Sequence, residues 1–318
     1  MSKVFASRAD VEDKVVSFTR LSEHAYAYTA QGDPNTGVIV GDDAVMLVDT
    51  QATPLMANDV IARIRAITDK PIRYVVLTHY HAVRVLGAAA YGAGHIIASE
   101  DTRDLIVERG EQDYRSEYER FPRLFRGSES IPGLTWPNVT FKEEMTIRLG
   151  ELEVRLSQPG RGHTKGDTVA WLPRERVLFS GDLVEHGATP YTGDAYLSDW
   201  PRTLDNIARL QPAALVPGRG DALTSPERIA EAFDGTRSFV TGMFESVRRG
   251  KAAGKDLRQV YQEAHAELQP RFGHWVIFDH CLPFDVARAY DEASGIEHPR
   301  IWTAERDAEM WRTIAGTD

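Results

Sequence analysis

The chain has 318 residues, of which 42% are hydrophobic and 26% charged, an ordinary composition for a globular protein with a substantial core. Its formal net charge of −10 argues against broad electrostatic attraction to nucleic acid or to an anionic membrane. No apolar run reaches the roughly 18–20 residues that a membrane span needs, and residues 1–10 lack the apolar core of a signal peptide. The single cysteine, Cys281, excludes an internal disulfide, so we expect a cytoplasmic protein.

The first two-thirds of the chain alternate between short apolar runs and polar turns or helical stretches. Strands are indicated by β-branched content and by bounding turns, and one helix by apolar residues at helical spacing. In chain order, these predicted elements are strands at 38–40 and 44–48, a helix over 54–67, and strands at 73–78, 147–156, 168–172, 177–180 and 213–216.

After about residue 224 the pattern becomes mostly helical. Ser225 and Pro226 predict a helix start, and Gly250 predicts its end. Asp256 predicts the cap of a second helix. That helix is expected to end near 268, with further helices near 284–293 and 304–314. We therefore predict an α/β domain over 1–224 and a helical extension over 225–318 that packs on it, since no flexible linker separates them.

Four short segments carry the groups that could hold a metal ion. The sequence LTHYH at 77–81 follows a buried strand directly, and GHTKGD at 162–167, FSGD at 179–182 and PGRGD at 217–221 occur at later strand ends. Groups at successive strand ends of an α/β protein meet at one edge of a sheet. Imidazoles at positions i and i+2 of a loop can face one ion, and they suit zinc or iron.

In order and spacing, these segments resemble the metallo-β-lactamase superfamily, which includes glyoxalase II-type hydrolases, from about residue 17 to 222. The family pattern is Thr-His-x-His-x-Asp-His, then Gly-His-Thr-x-Gly-Asp, Ser-Gly-Asp and Pro-Gly-His-Gly. The resemblance implies an α/β fold, the αββα sandwich, with the metal at the end of its two sheets. Asp49 matches a family aspartate that supports the site loops from behind.

The departures from this pattern concern the second metal of dinuclear members. The family's Asp-His pair falls on Val83 and Arg84, and its last histidine falls on Arg219. Valine has no donor atom, and an arginine in a protein is always protonated. We therefore predict one metal ion per chain, zinc first and iron second. The ligands that the resemblance implies are His79, His81, His163 and Asp182.

Two roles are open for the substituted arginines. Arg84 and Arg219 bring about +2 charge, which equals that of the missing ion, so they could bind an anionic substrate group or stabilise developing negative charge. Alternatively, each pairs with a nearby acid such as Asp221 or Asp167 and fills a dead site.

Other residues are weaker candidates for substrate contact. Lys165 lies in the third-histidine segment, and His274 or His280 could reach the metal from the helical extension. Residues 101–135, rich in arginine, glutamate and aromatic side chains, would suit a lid or a contact between copies in a homo-oligomer.

The predicted function is that of a mononuclear hydrolase of a small anionic molecule. Metal-bound hydroxide would be the nucleophile, with Asp182, Arg84 and Arg219 as catalytic groups. One alternative is a mononuclear iron dioxygenase-type member that acts on a small molecule. The other is a non-catalytic protein that binds or senses an anion through its metal.

Overall fold

The computed structural model describes residues 14–316, so the expectation for residues 1–10 concerns a segment outside the described range. Within that range, twelve strands form two sheets. The strands are β1 (Val16–Arg20), β2 (Ala25–Ala30), β3 (Thr36–Val40), β4 (Val45–Val48), β5 (Ile72–Val76), β6 (His95–Ser99), β7 (Val139–Phe141), β8 (Glu144–Leu149), β9 (Leu152–Ser157), β10 (Val169–Leu172), β11 (Val177–Gly181) and β12 (Ala214–Pro217).

Helices cover the outer face of each sheet. The α-helices are α1 (Pro54–Arg65), α2 (Ala82–Val85), α3 (Glu100–Arg120), α4 (Trp200–Ala208), α5 (Pro226–Ala252), α6 (Leu257–Phe272), α7 (Phe278–Ala293) and α8 (Ala304–Ala315). Short 3₁₀ helices cover Leu86–Tyr91, Pro122–Phe125 and Ser128–Ser130. None of the helices between residues 14 and 316 combines the length and the apolar character that crossing a membrane requires.

The larger sheet has the order β1-β2-β3-β4-β5-β6-β7, antiparallel up to β4 and parallel from β4 onward. The smaller sheet has the order β12-β11-β10-β9-β8, antiparallel except for the parallel pair β11 and β12. Buried apolar side chains of both sheets, among them Met46 and Val76 from one and Leu156 and Phe179 from the other, form one shared core. The predicted αββα sandwich with C-terminal helices is therefore confirmed.

Helix α6 ends at Phe272 rather than near 268, and α7 begins at Phe278 rather than near 284. Two further predictions differ from the structure for local reasons. Residues 147–156 form not one strand but the hairpin of β8 and β9, because Gly150 adopts the left-handed conformation (φ +71°) and turns the chain. Helix α5 continues past Gly250 to Ala252. An added Cβ at Gly250 would lie 2.9 Å from Cγ2 of Val260, so this glycine permits the close approach of α5 and α6 rather than ending the helix.

The helices after residue 225 share a core with the outer face of the smaller sheet. Phe239 of α5 and Phe278 of α7 belong to the same buried cluster as Leu178 and Leu215. A backbone bridge fixes the start of α7, because Val276 donates to the carbonyl of Gly187 and accepts from the N–H of Thr189, both at 3.0 Å. This packing places the first turn of α7 beside the strand ends described next. The division into domains at residue 224 remains a prediction.

Candidate metal centre

Three histidines converge at the strand ends where the two sheets meet. His79 and His81 follow β5, and His163 lies in the loop between β9 and β10. Each is at most 2% exposed, and one ring nitrogen from each lies within 4.8 Å of those of the other two. The rings stand nearly perpendicular to one another, at 84–89°.

Asp49 explains why the first two histidines sit where they do. It follows β4 in the left-handed conformation (φ 62°), and its carboxylate accepts hydrogen bonds from the N–H and the hydroxyl of Thr78 at 2.9 and 2.8 Å. These bonds fix the first residue of the loop that carries His79 and His81, and they support the role that the resemblance implies for Asp49.

The outward-facing nitrogen of each imidazole has its own partner. Nδ1 of His79 lies 2.9 Å from the Thr78 hydroxyl, and Nε2 of His81 lies 3.3 Å from the Asp194 carboxylate. Nδ1 of His163 lies 2.8 Å from the carbonyl of Tyr191. Such partners fix the tautomer and the orientation of a metal-ligating ring. The nitrogens left for an ion are therefore Nε2 of His79, Nδ1 of His81 and Nε2 of His163.

This donor set fits a divalent metal ion. Nε2 of His79 is buried and has no hydrogen-bond partner, although buried polar atoms are rarely left unsatisfied. Burial holds the pKa of His79 well below its usual range and lowers that of His163 to about 3, so both rings are neutral and offer lone pairs. Burial also acts to lower the pKa of His81, but the neighbouring carboxylates of Asp113 and Asp194 outweigh it and raise the value to about 9. An ion among the three nitrogens would displace a proton from His81.

Asp182 follows β11 and lies beside the histidine cluster. Its Oδ2 lies 3.7 Å from Nε2 of His79 and 3.7 Å from Nε2 of His163. Its Oδ1 pairs with the guanidinium of Arg84. Burial alone would raise the pKa of Asp182, but Arg84, His163 and Arg219 together outweigh it and lower the value below its ordinary range, so the carboxylate is ionised.

The comparisons with known proteins agree with this geometry. The model of the metallo-beta-lactamase superfamily matches residues 30–219. The chain belongs to the metallo-β-lactamase superfamily. The match ends before α5, so the last four helices lie outside the shared part.

Several members of the superfamily resemble the chain over most of its length. It is 24% identical over 242 residues to a metallo-beta-lactamase type 2 of Bacillus cereus, covering 70% of this chain and 85% of that protein. It is 25% identical over 219 residues to the type 2 enzyme of Bacteroides fragilis, covering 65% and 80%. Among solved structures, a metallo-beta-lactamase from Pontibacter korlensis has a TM-score of 0.56 at 21% identity and covers 71% of this chain and 99% of that one.

One structural neighbour was solved with a single metal. The mono-zinc form of FIM-1 from Pseudomonas aeruginosa has a TM-score of 0.55 at 22% identity and covers 72% of this chain and 96% of that one. At this level of identity, the likeness shows the fold of the superfamily and assigns no substrate to the chain.

The two arginines at the superfamily's second-metal positions have different surroundings. Arg84, in α2, is 1% exposed, pairs with Asp182 and donates from Nη1 to the carbonyl of Asn35 at 3.3 Å. Arg219, after β12, donates from Nη1 to the carbonyl of Gly32 at 2.9 Å. Of these two arginines, Arg219 lines the cavity beside the histidines and Arg84 does not.

This cavity, called the central cavity below, is small and largely enclosed, with room for about one water molecule (about 20 Å³). A larger substrate therefore requires its walls to move. Its lining residues are His81, Val83, Glu117, Arg120, Phe121, His163, Asp182, Glu185, Tyr191, Arg219, Ile277 and Cys281.

Two other predicted substrate contacts lie outside the central cavity. Lys165 is 42% exposed and pairs with Asp101 at the start of α3, because its turn points to the surface. His274 is exposed, since it precedes the backbone bridge that draws the chain inward. The histidine that approaches the cavity is His280, whose ring lies 4.2 Å from that of Phe121, a cavity-lining residue.

Helix α3 contributes functional groups that the sequence patterns did not identify. Asp113 accepts from the N–H of Ala82 at 2.7 Å, and Glu117 accepts from the N–H of Val83 at 2.8 Å. Glu117 and Arg120 also line the central cavity. The available signal was the spacing of these acids and Arg120 at i, i+4 and i+7, which places them on one face of a helix.

Proposed function

We propose that the chain is a metal-dependent hydrolase with one metal ion per chain, which acts on a small anionic substrate. The observation that carries this proposal is the division of Asp182 between two partners, the histidine cluster at Oδ2 and Arg84 at Oδ1. The remaining second-metal positions, Val83 and Arg219, offer no lone pair. One set of donors therefore serves one ion.

His79, His81 and His163 would hold the ion, with Asp182 as the fourth ligand. When bound, a zinc ion supplies a water molecule whose pKa is lowered to about 7 and which can attack a carbonyl group. The same imidazoles also suit iron, so the identity of the metal must be measured.

The chain's own residues have separate tasks in this proposal. Arg84 is a positioning residue, since it keeps Asp182 ionised and holds its Oδ2 toward the histidines. Of the two roles open for Arg84, we favour pairing with a nearby acid. That acid is Asp182, and not Asp221 or Asp167, which the sequence suggested as examples. Arg219 faces the cavity and can stabilise the negative charge that develops on the attacked carbonyl oxygen. The enclosed cavity would exclude bulk water, which strengthens such an interaction.

The test combines metal analysis with an activity screen. Elemental analysis of the purified full chain should give about one metal ion per chain, and a panel of esters, lactones, thioesters and phosphoesters should contain a substrate. A His79→Ala variant should lose both the ion and the turnover, whereas His95→Ala, at an exposed histidine of β6, should keep both.

Three outcomes would contradict the proposal. Two fully occupied metal ions would refute the single set of donors. Stoichiometric iron with uptake of dioxygen would favour oxidative chemistry instead. A bound metal and a tightly bound anion without turnover of any compound would favour a binding or sensing protein.

A further inference from the structure

Most of the deeply buried arginines in the described part of the chain have a carboxylate partner. Such pairing is expected, because an unpaired charge inside a protein is energetically costly. The pairs are Arg84 with Asp182, Arg109 with Asp194, Arg123 with Asp33, and Arg288 with Glu292.

Two arginines that line the central cavity, the buried Arg219 and the half-buried Arg120, do not follow this rule. Within residues 14–316, neither Arg120 nor Arg219 has a carboxylate oxygen within 4.0 Å of its guanidinium. Nη1 of Arg120 is buried and has no hydrogen-bond partner, while Nε donates to the carbonyl of Ser116 at 3.3 Å. Nη1 of Arg219 donates to the carbonyl of Gly32. Both cations therefore keep donors free toward the cavity.

Aromatic rings rather than acids hold Arg120 in place. Its Cζ lies 4.5 Å from the ring centroid of Phe284, 5.2 Å from that of Tyr191 and 5.6 Å from that of Phe121. Cation–π contacts of this kind stabilise a guanidinium without neutralising its charge. The side chain is thus held in place without an acid, and its charge stays available for an anion.

The acids that line the cavity have partners other than the guanidinium groups of Arg120 and Arg219. Asp182 is paired with Arg84, and Glu117 accepts a backbone hydrogen bond from Val83. Glu185 accepts a hydrogen bond from the backbone N–H of Arg219, and burial raises the pKa of Glu185 well above its ordinary range. In the described residues, none of these three carboxylates forms an ion pair with the guanidinium of Arg120 or Arg219, so both cations remain available to an anion.

We propose that Arg120 and Arg219 together bind a carboxylate group of the substrate, and that Arg120 determines this specificity. Guanidinium groups match the two oxygens of a carboxylate, and the apolar wall of Val83, Phe121 and Ile277 suits a short hydrocarbon chain. The substrate would be a small apolar monocarboxylate whose reacting bond faces His81 and His163. This inference rests on the proposed hydrolase for the reaction, but not for the binding.

Binding can be measured without turnover. Calorimetric titration of butyrate into the purified full chain should show saturable binding, whereas the neutral isostere butyramide should not bind. Arg120→Met and Arg219→Met, which keep most of the side-chain length, should each weaken butyrate binding by about tenfold or more. Arg115→Gln provides the matched control, because Arg115 lies on the same helix and is exposed. This variant should bind butyrate as the unaltered chain does.

The outcomes separate this inference from the proposed hydrolase. Unchanged butyrate affinity in Arg120→Met would refute the role of Arg120, even if the enzyme hydrolyses esters. Tighter binding of inorganic phosphate than of butyrate would refute the proposal that the two arginines select a carboxylate group. Since the two arginines lie on different elements, Arg219→Met still tests the site if Arg120→Met fails to fold.

A substrate pair extends the test if the chain hydrolyses esters. Monoethyl succinate carries a free carboxylate, and diethyl succinate does not. Arg120→Met should raise KM for the monoester by about tenfold with little change in kcat, and it should leave KM for the diester unaffected. An equal loss for both esters would indicate a structural role of Arg120 and would contradict the inference. Butyrate binding without hydrolysis of any compound would leave the inference standing and refute the proposed function.

Discussion

The two sides of the central cavity differ in how their polar and charged groups are paired. On the histidine side, the outer nitrogen of each ring has a partner: those of His79, His81 and His163 contact Thr78, Asp194 and the carbonyl of Tyr191. The inner nitrogens face one another, and Asp182 faces two of them. On the arginine side, Arg120 and Arg219 approach the cavity without a carboxylate partner.

Arg84 lies between these two sides and shows how they are connected. Its sequence position assigns it to the missing second metal, yet its contacts belong to the histidine side, because it neutralises Asp182. Arg84 thus balances the charge of Asp182, whereas Arg219 has no carboxylate partner among the described residues. The comparison teaches that two arginines predicted for the same region can have different tasks, one pairing with an acid and the other lining the cavity.

The strongest test of the histidine side removes a ligand. His163→Ala should lower metal affinity by more than about 100-fold, since even the outer partners of metal ligands contribute about 10–100-fold. Activity should fall to background with it. The metal content after dialysis, determined by elemental analysis, is the measurement. A variant that retains a full equivalent of metal would show that this histidine is not a ligand.

The second test separates Arg84 from Arg219. In the metal-free protein, Arg84→Met leaves Asp182 buried without its cation, which should lower the free energy of unfolding by about 3–5 kcal/mol. Arg219→Met removes one hydrogen bond, to Gly32, and should cost about 1 kcal/mol. Urea unfolding of both variants gives the comparison.

A double variant provides the control for this difference. Arg84→Met combined with Asp182→Asn should recover part of the loss, because the uncompensated charge disappears. Equal destabilisation by Arg84→Met and Arg219→Met would mean that the two arginines do not differ as described.

The histidine side could be predicted from sequence because its signals are local. His79, His81, His163 and Asp182 each follow a recognisable strand, and strand ends at one edge of a sheet converge. The sandwich was predictable for the same reason, since its strands are short apolar runs between turns. Even there, Gly150 and Gly250 were misinterpreted: one turns a hairpin within a predicted strand, and the other permits helix packing where a helix end was predicted.

The arginine side could not be predicted in this way. Helix α3 carries charged residues on its inner face, so Glu117 and Arg120 look like solvent-exposed positions in the sequence. Their burial depends on α7 and on the loop of Tyr191, which lie far along the chain and cover them. Nor could the sequence choose the acid that pairs with Arg84, since contact between residues 84 and 182 depends on the assembled sheets.

A smaller effect is expected at the outer partner of His81. Asp194→Asn keeps the size of the side chain but removes the charge that lies 3.3 Å from Nε2 of the imidazole. Metal affinity should fall by about 10–100-fold, less than for loss of a ligand. Competition with a chelator of known affinity measures this change. An unaltered affinity would show that Asp194 serves only Arg109, with which it also pairs at 3.1 Å.

The smallest effect concerns His280, which reports the charge of the arginine side. Burial, then Arg120 and Arg219, lower the pKa of His280 to about 3, against an ordinary value near 6.5. Between these values the unfolded chain binds a proton that the folded chain does not, so this residue destabilises the fold as the pH falls below about 6.5. His280→Gln should therefore lose less stability than the unaltered chain between pH 7 and pH 5, by about 1 kcal/mol for a partly exposed ring. Urea unfolding at both pH values measures the difference.

If Arg219 is unpaired, Arg219→Met should also raise the pKa of His280, and an NMR titration of that histidine detects the change. If that pKa does not move, a carboxylate already neutralises Arg219, and the two sides of the cavity do not differ in charge as the contacts indicate.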